Sequence, residues 1–300
     1  MAQGTRGIGW AYVELMRPKQ WYKNLLLFVG VVFAKELGDP NLLFLAILGF
    51  LAFCALSGSV YTLNDIIDRG RDRGHPKKRL RPIPSDRVSV GSAAAFSAVL
   101  LVAGLAVSLY IDWLFLLVAL AYLAEGYSYS LYFKNIVIVD AITLAVGFVI
   151  RAYAGTVAVD VPVTPWLVIC VFLLALFLAF GKRRHELSLL GDQAENHREI
   201  LKHYTLHMVE DMMAVSTATL IMAYAMYTFL ATTQYMMFTI PFAIFGLLRY
   251  TFLVHMADKG GEPEQVFKDL PSLINLILWV IAVVLILYFA PDVRWSGGTS

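Results

Sequence analysis

Stretches of about 20 mostly apolar residues, the length that crosses a hydrocarbon core as a helix, recur along this whole chain with only short polar breaks. A bilayer offers backbone N–H and C=O groups no partners except one another, so such a chain folds as a helix bundle or a closed barrel. Runs this long without strict alternation are helical. Composition agrees, because 59% hydrophobic and 15% charged residues over 300 positions are too apolar for a soluble domain. The pattern predicts an all-α, polytopic membrane protein, a single transmembrane domain over residues 1–300, with about nine spans: 22–35, 42–63, 89–110, 113–132, 137–157, 165–181, 212–231, 235–254 and 272–290. The first is the weakest. Its apolar core, Leu25 to Ala34, is short, and residues 1–20 lack the apolar region of a signal peptide, so it reads as a retained first helix.

Nine spans place the termini on opposite sides, and the basic residues choose the orientation. With the N-terminus inside, twenty of the 24 Lys and Arg fall on the cytoplasmic side, including Arg6, Arg17, Lys19 and, at the membrane boundary, Lys23, and eight between the second and third spans. The expected location is therefore the plasma or inner membrane, N-terminus cytoplasmic and C-terminus outside. A net charge of +2 averages a basic face with a nearly uncharged one and implies no nucleic-acid partner. Cys54 and Cys170 both fall in apolar spans and read as small buried side chains.

Two cytoplasmic connections are long and densely charged, about residues 69–88 and 182–211, and would form a cap over the membrane face. The second span runs directly into the first of these as "YTLNDIIDRGRDRGHPKKRLRPIPSDR". Offsets of one, four and eight from Asn64 place Asp65, Asp68 and Asp72 with it on one helical face. Like charges so placed repel unless a cation sits among them. Oxygen-only ligands suit a hard ion such as Mg²⁺, whose shell substrate phosphate oxygens complete, so the natural ligand is a metal-bound diphosphate. His75, Lys77, Lys78, Arg79 and Arg81 follow at once, cations able to neutralise charge developing on a leaving group. A solvated helix end flanked by topology-setting charges would explain the basic run, but not the regular acids at the headgroup boundary.

That motif, its place at the end of the second span and the following "RPIPS" resemble the UbiA superfamily of intramembrane prenyltransferases. The resemblance implies nine helices around a central cavity with enlarged second and sixth connections, and Mg²⁺-diphosphate bound by two acidic motifs. One of those motifs is absent. Where an aromatic prenyltransferase is acidic again, this chain has "FGKRRHELSLLGDQ", led by Lys182, Arg183 and Arg184. With "RPKQWYKN" near the start, this is similar to the decaprenyl-phosphate phosphoribosyltransferase branch, which implies phosphoribosyl diphosphate and a polyprenyl phosphate as substrates. The family comparison would also place Gln20, Lys23 and Asn24 on the cavity wall, and Tyr129 and Lys134 in a Tyr-then-Lys segment before the fifth span.

The expected reaction is Mg²⁺-dependent transfer of 5-phosphoribose to a polyprenyl phosphate with release of diphosphate, for cell-envelope glycolipid precursor synthesis. Asp65, Asp68 and Asp72 would hold the metal-diphosphate with Asn64, and Lys77, Arg79, Arg81, Lys182, Arg183 and Arg184 would bind phosphates. Arg151 in the fifth span is assigned a phosphate-facing or structural role, and Asp140, too far along the same helix to pair with it, needs its own partner. Glu125 and Arg249 read as interhelical pairs, and Asn196 to Met208 as an interfacial amphipathic helix. A homo-oligomer is possible. Two alternatives stand beside this reading: an aromatic or lipid prenyltransferase using a prenyl diphosphate, and a transporter, for which buried charges on several spans would mark a solute path.

Overall fold

The computed structural model describes residues 7–74, 78–190, 199–230, 233–256 and 266–291. Every regular element among them is helical. In chain order these are α1 (Ile8–Leu15), a 3-10 helix (Pro18–Phe28), α2 (Val29–Phe33), α3 (Pro40–Ile67), α4 (Arg69–Gly74), α5 (Val90–Ile111), α6 (Trp113–Leu131), α7 (Val139–Ala158), α8 (Pro165–Leu190), α9 (Leu206–Leu230), α10 (Ile240–His255) and α11 (Leu270–Phe289), with short 3-10 turns between some of them. Eight helices among the described residues are long and apolar enough to cross a membrane, and large apolar side chains such as Leu109, Trp113, Phe245 and Leu278 lie exposed along them. The protein is a multi-pass, all-α membrane protein.

The first predicted span, 22–35, is the one that differs. Residues 18–33 form a 3-10 helix and then a five-residue α-helix. Pro18 opens the segment behind Arg17, whose φ is 50°. The run then lies so close to α7 that a Cβ on Gly155 would collide with the Leu27 carbonyl, and one on Gly30 with the backbone of Gly155. Charge at one end and backbone-to-backbone packing at the other replace the regular apolar cylinder that periodicity predicts.

Helix starts follow local chemistry. Asp39, Ser89, Asp112 and Asp269 accept backbone N–H groups at the N-termini of α3, α5, α6 and α11, and Pro40, Pro241 and Pro271 sit in first turns, where a missing N–H does no harm.

The chain falls into two compact units, Met1–Tyr132 with Ile150–Pro162, and Phe133–Val149 with Val163–Ser300. In the first, Leu27, Val31, Phe53, Leu56, Phe115 and Tyr122 belong to one apolar core. A smaller cluster joins Ala11 and Leu15 of α1 to Ile83, Val88 and Ala93. In the second unit the core gathers around Phe177, Phe180, Tyr204, Met213 and Tyr250.

Candidate active site

Twenty-eight residues make α3 about 42 Å long, against a hydrocarbon core of about 30 Å. Its last turns can therefore carry Asn64 and Asp65 clear of the apolar layer. Asp65 is nonetheless 2% exposed and Asp72, on α4, 3%. A small apolar cluster anchors the segments on either side of them, and in it Leu15 and Ile83 are wholly enclosed. Arg17 lies two residues after one of these anchors and Arg81 two residues before the other, so the same packing positions both guanidiniums near the acids.

Arg81 Nη1 donates to Asp65 Oδ1 at 2.8 Å and to Asp72 Oδ2 at 2.7 Å. Arg17 Nη2 donates to the same oxygen of Asp65, and its guanidinium lies 4.8 Å from the centre of the Tyr61 ring. Lys78 Nζ approaches Asp72 Oδ1 at 3.8 Å. The loop is braced from outside: Asp86 takes hydrogen bonds from Arg69 and Arg73, which hold its carboxyl below the usual range, and Arg87 reaches Glu14 of α1 at 2.6 Å.

Of the three acids predicted to act together, the structure thus brings together two. Asp68, the C-cap of α3, accepts from Arg71 at 2.7 Å instead, and Asn64 is half-buried beside Asp65. The chain turns from α3 into α4 at Asp68, so the single ladder expected of one straight helix is broken there. Arg79 is exposed, and Lys77 lies outside the described residues, as does His75. Arg17 was legible as a topology-setting charge and as the first residue of "RPKQWYKN", not as a partner of Asp65.

Gln20 accepts from Lys23 Nζ at 3.4 Å on the 3-10 helix. Asn24 is 1% exposed. Its amide nitrogen reaches Cys54 Sγ and Ser57 Oγ, and its oxygen accepts from Arg151 Nε at 2.9 Å. Arg151 also donates to Tyr122 Oη at 2.8 Å and lies over that ring. These two predicted substrate contacts bind each other inside the first unit.

In the second unit α8 continues helically through Leu190, where a loop beginning at Lys182 is predicted. Successive residues of the basic cluster therefore point different ways: Lys182 is exposed, while Arg183 and Arg184 are buried. Arg183 binds Asp140 Oδ2 through Nε and Nη2 at 3.0 and 2.8 Å, and Glu186 through Nη1. Arg184 binds Glu210 and the Val254 carbonyl. Tyr204 closes the group: its hydroxyl donates to Asp140 Oδ1 at 3.1 Å and accepts the Ile138 N–H at 2.7 Å, and burial pushes its pKa up to about 12. Ile138 sits at a φ of 68°, a strained conformation for a β-branched residue. Lys134 lies in the 3-10 turn before α7. Residues 199–203 form a 3-10 helix, whereas Asn196, the predicted cap of an interfacial helix, lies outside the described residues.

Of the charges on which a transporter reading leans, Arg151 is bound to Asn24 and Tyr122, Asp140 to Arg183, and the half-buried Arg249 to Asp269 at 2.8 Å. Among the described residues no three His, Cys, Asp or Glu side chains converge. A hard cation still fits at Asp65 and Asp72, since one oxygen from each already reaches a single cationic nitrogen. Mg²⁺ is commonly held by one or two carboxylates with phosphate oxygens completing its shell.

An all-α, multi-pass membrane fold with a buried two-carboxylate, two-guanidinium cluster defines the class, and residues 24–270 match the UbiA prenyltransferase family. The chain belongs to that family and is an enzyme of it. A UbiA homolog from Archaeoglobus fulgidus, bound to GPP and Mg²⁺, shares the fold at a TM-score of 0.73 and 23% identity, covering 93% of this chain and 99% of that one. The chain is 30% identical to a decaprenyl-phosphate phosphoribosyltransferase of Mycolicibacterium smegmatis over 298 residues, 93% of this chain and 92% of the relative. A Corynebacterium glutamicum protein of the same name is 27% identical over 300 residues, 96% and 90% of the two chains.

Proposed function

We propose that this enzyme transfers 5-phosphoribose from phosphoribosyl diphosphate to a polyprenyl phosphate of the decaprenyl type, using Mg²⁺ and releasing diphosphate, as a step toward cell-envelope glycolipids. The observation that carries this reading is likeness along nearly the whole chain to two proteins named for that transfer. The positive-inside distribution of Lys and Arg supports a site at the cytoplasmic face of the plasma or inner membrane, with the N-terminus inside.

In this mechanism Asp65 and Asp72 would hold the metal, with Asn64 and Asp68 as the further ligands that the sequence offers. When bound, Mg²⁺ neutralises charge gathering on the departing diphosphate. Arg81, Lys78, Arg79 and Lys77 belong to one basic loop and supply donors to the same oxygens. Arg183 and Arg184, committed to Asp140 and Glu210, act by fixing the end of α8, which presents Lys182 as the exposed cation of that trio. Gln20 and Lys23 are further candidate phosphate contacts of the first unit and Lys134 of the second, while Asn24 and Arg151 hold the wall of the first unit. The bond that breaks joins the ribose carbon to diphosphate, and the one that forms joins that carbon to an oxygen of the lipid phosphate. That oxygen is already anionic, so no side chain need act as a strong base. Rate enhancement comes from positioning and charge stabilisation.

The test is incubation of purified protein with labelled phosphoribosyl diphosphate, Mg²⁺ and short polyprenyl phosphates. Label in the lipid phase, lost in Asp65→Asn, is the expected result. Lipid-phase product formed only when a prenyl diphosphate is supplied would place the enzyme with the prenyl-transferring members of its family.

A further inference from the structure

We infer that Arg81 is an exchangeable counter-ion of the site and Arg17 its permanent one, so that the metal enters with a diphosphate and not ahead of it. This rests on the metal-diphosphate reading of Asp65 and Asp72, and on no particular choice of group transferred.

The two guanidiniums meet the same carboxylate oxygen but are built differently. Arg17 is the more enclosed of the two. Its backbone is in the left-handed region at φ 50°, its N–H bonds the Glu14 carbonyl at 3.1 Å, its own carbonyl accepts the Gln20 N–H at 2.8 Å, and Tyr61 lies under the guanidinium. Among the described residues Asp65 is the acidic partner of Arg17. Arg81 bridges two carboxylates from a short loop, with a side chain 30% exposed against 19% for Arg17. It occupies Asp65 Oδ1 and Asp72 Oδ2, oxygens that a cation needs, and a guanidinium suits phosphate as well as carboxylate.

Charge decides the order. Two carboxylates are balanced by two guanidiniums, and Lys78 stands nearby. A bare divalent ion would add two positive charges to a set already neutral or positive and buried enough for repulsion to be strong. A diphosphate brings several negative charges, so Arg81 can leave the carboxylates for the phosphate oxygens while the ion takes its place. Arg17 stays on Asp65 and keeps that carboxylate aimed. In this scheme Arg17 is a positioning residue and Arg81 both a latch and a substrate contact.

Equilibrium dialysis of Mn²⁺ against the purified full chain in detergent, with no phosphate compound present, tests this directly. Wild-type protein should bind Mn²⁺ weakly, and Arg81→Gln about tenfold or more tightly than wild type. Arg81→Lys, which keeps the charge, should return binding to near the wild-type level and shows that the loop still folds. Asp65→Asn in the Arg81→Gln background should abolish the gain, placing the ion at these acids. Inorganic diphosphate added with Mn²⁺ should raise metal retention in wild type far more than in Arg81→Gln. Equal Mn²⁺ affinity in wild type and Arg81→Gln overturns the inference, as does a gain that survives Asp65→Asn. The readout is metal retention, so failure of the phosphoribosyl assay leaves this result standing, and the converse holds.

Discussion

Arg183 places two nitrogens on one oxygen of Asp140, at 3.0 and 2.8 Å, with side-chain exposures of 1% and 0%. A pair so enclosed contributes through the penalty of breaking it: Coulomb attraction roughly offsets desolvation while both charges are present, and the survivor is stranded when one is removed. Asp140→Ala should therefore lower stability by roughly 3–5 kcal/mol, read as a drop in thermal unfolding temperature in detergent. Asp140→Leu with Arg183→Met should lose much less. Equal losses in single and double variants would show that the site depends on the ions themselves.

The acids of the first unit separate by role. Asp65→Asn and Asp72→Asn remove carboxylates that share a guanidinium and should lower kcat/KM by about a hundredfold or more, the scale of losing an electrostatic contact to a developing charge. Asp68→Asn, which interrupts a contact to Arg71, should stay within about tenfold. Ile83→Ala acts differently. It empties an enclosed apolar seat under the loop, at roughly 2–5 kcal/mol for such a truncation, and should raise KM for the diphosphate donor through Arg81. Steady-state kinetics on the four proteins distinguishes these outcomes.

How much of this was legible in the sequence follows from what periodicity and spacing encode. The eight long helices were, because apolar length alone specifies them. Residues 18–33 were not, since their packing depends on Gly30 and Gly155 meeting backbone far along the chain, a relation no local window contains. Asp65 and Asp72 were visible as regularly spaced acids; that Asp68 pairs with Arg71 was not, because spacing assumes an unbroken helix and the chain turns there. Arg17 and Tyr204 escaped notice for a similar reason. Their roles are set by partners 48 and 64 residues away, and each looks ordinary in its own segment.

Asn24 and Arg151 were predicted to meet substrate, and their mutual hydrogen bond within a buried group changes what their variants should do. Asn24→Ala leaves Arg151 Nε without its acceptor in the interior, which should cost about 1–3 kcal/mol of stability. At temperatures well below unfolding, KM for the donor should remain near wild type. A several-fold rise in KM with unchanged stability would instead mark Asn24 as a direct phosphate contact.

Asp269 provides a pH-dependent element away from the acids of the first unit. It caps α11, accepting from Ser272, and takes Nε and Nη2 of Arg249 at 3.0 and 2.8 Å. The Arg249 hydrogen bond, helped by Ser272, holds its carboxyl well below the usual carboxylate range. The folded protein therefore binds this proton less readily than the unfolded chain, where an aspartate titrates near pH 4. Stability from the pair is fully present above that value and is lost as pH falls below it toward the depressed folded value. Unfolding temperature in detergent should fall with acidification below about pH 4, and Asp269→Asn should flatten that slope while lowering stability at neutral pH. An unchanged acid slope in Asp269→Asn would assign the acid sensitivity to other carboxylates.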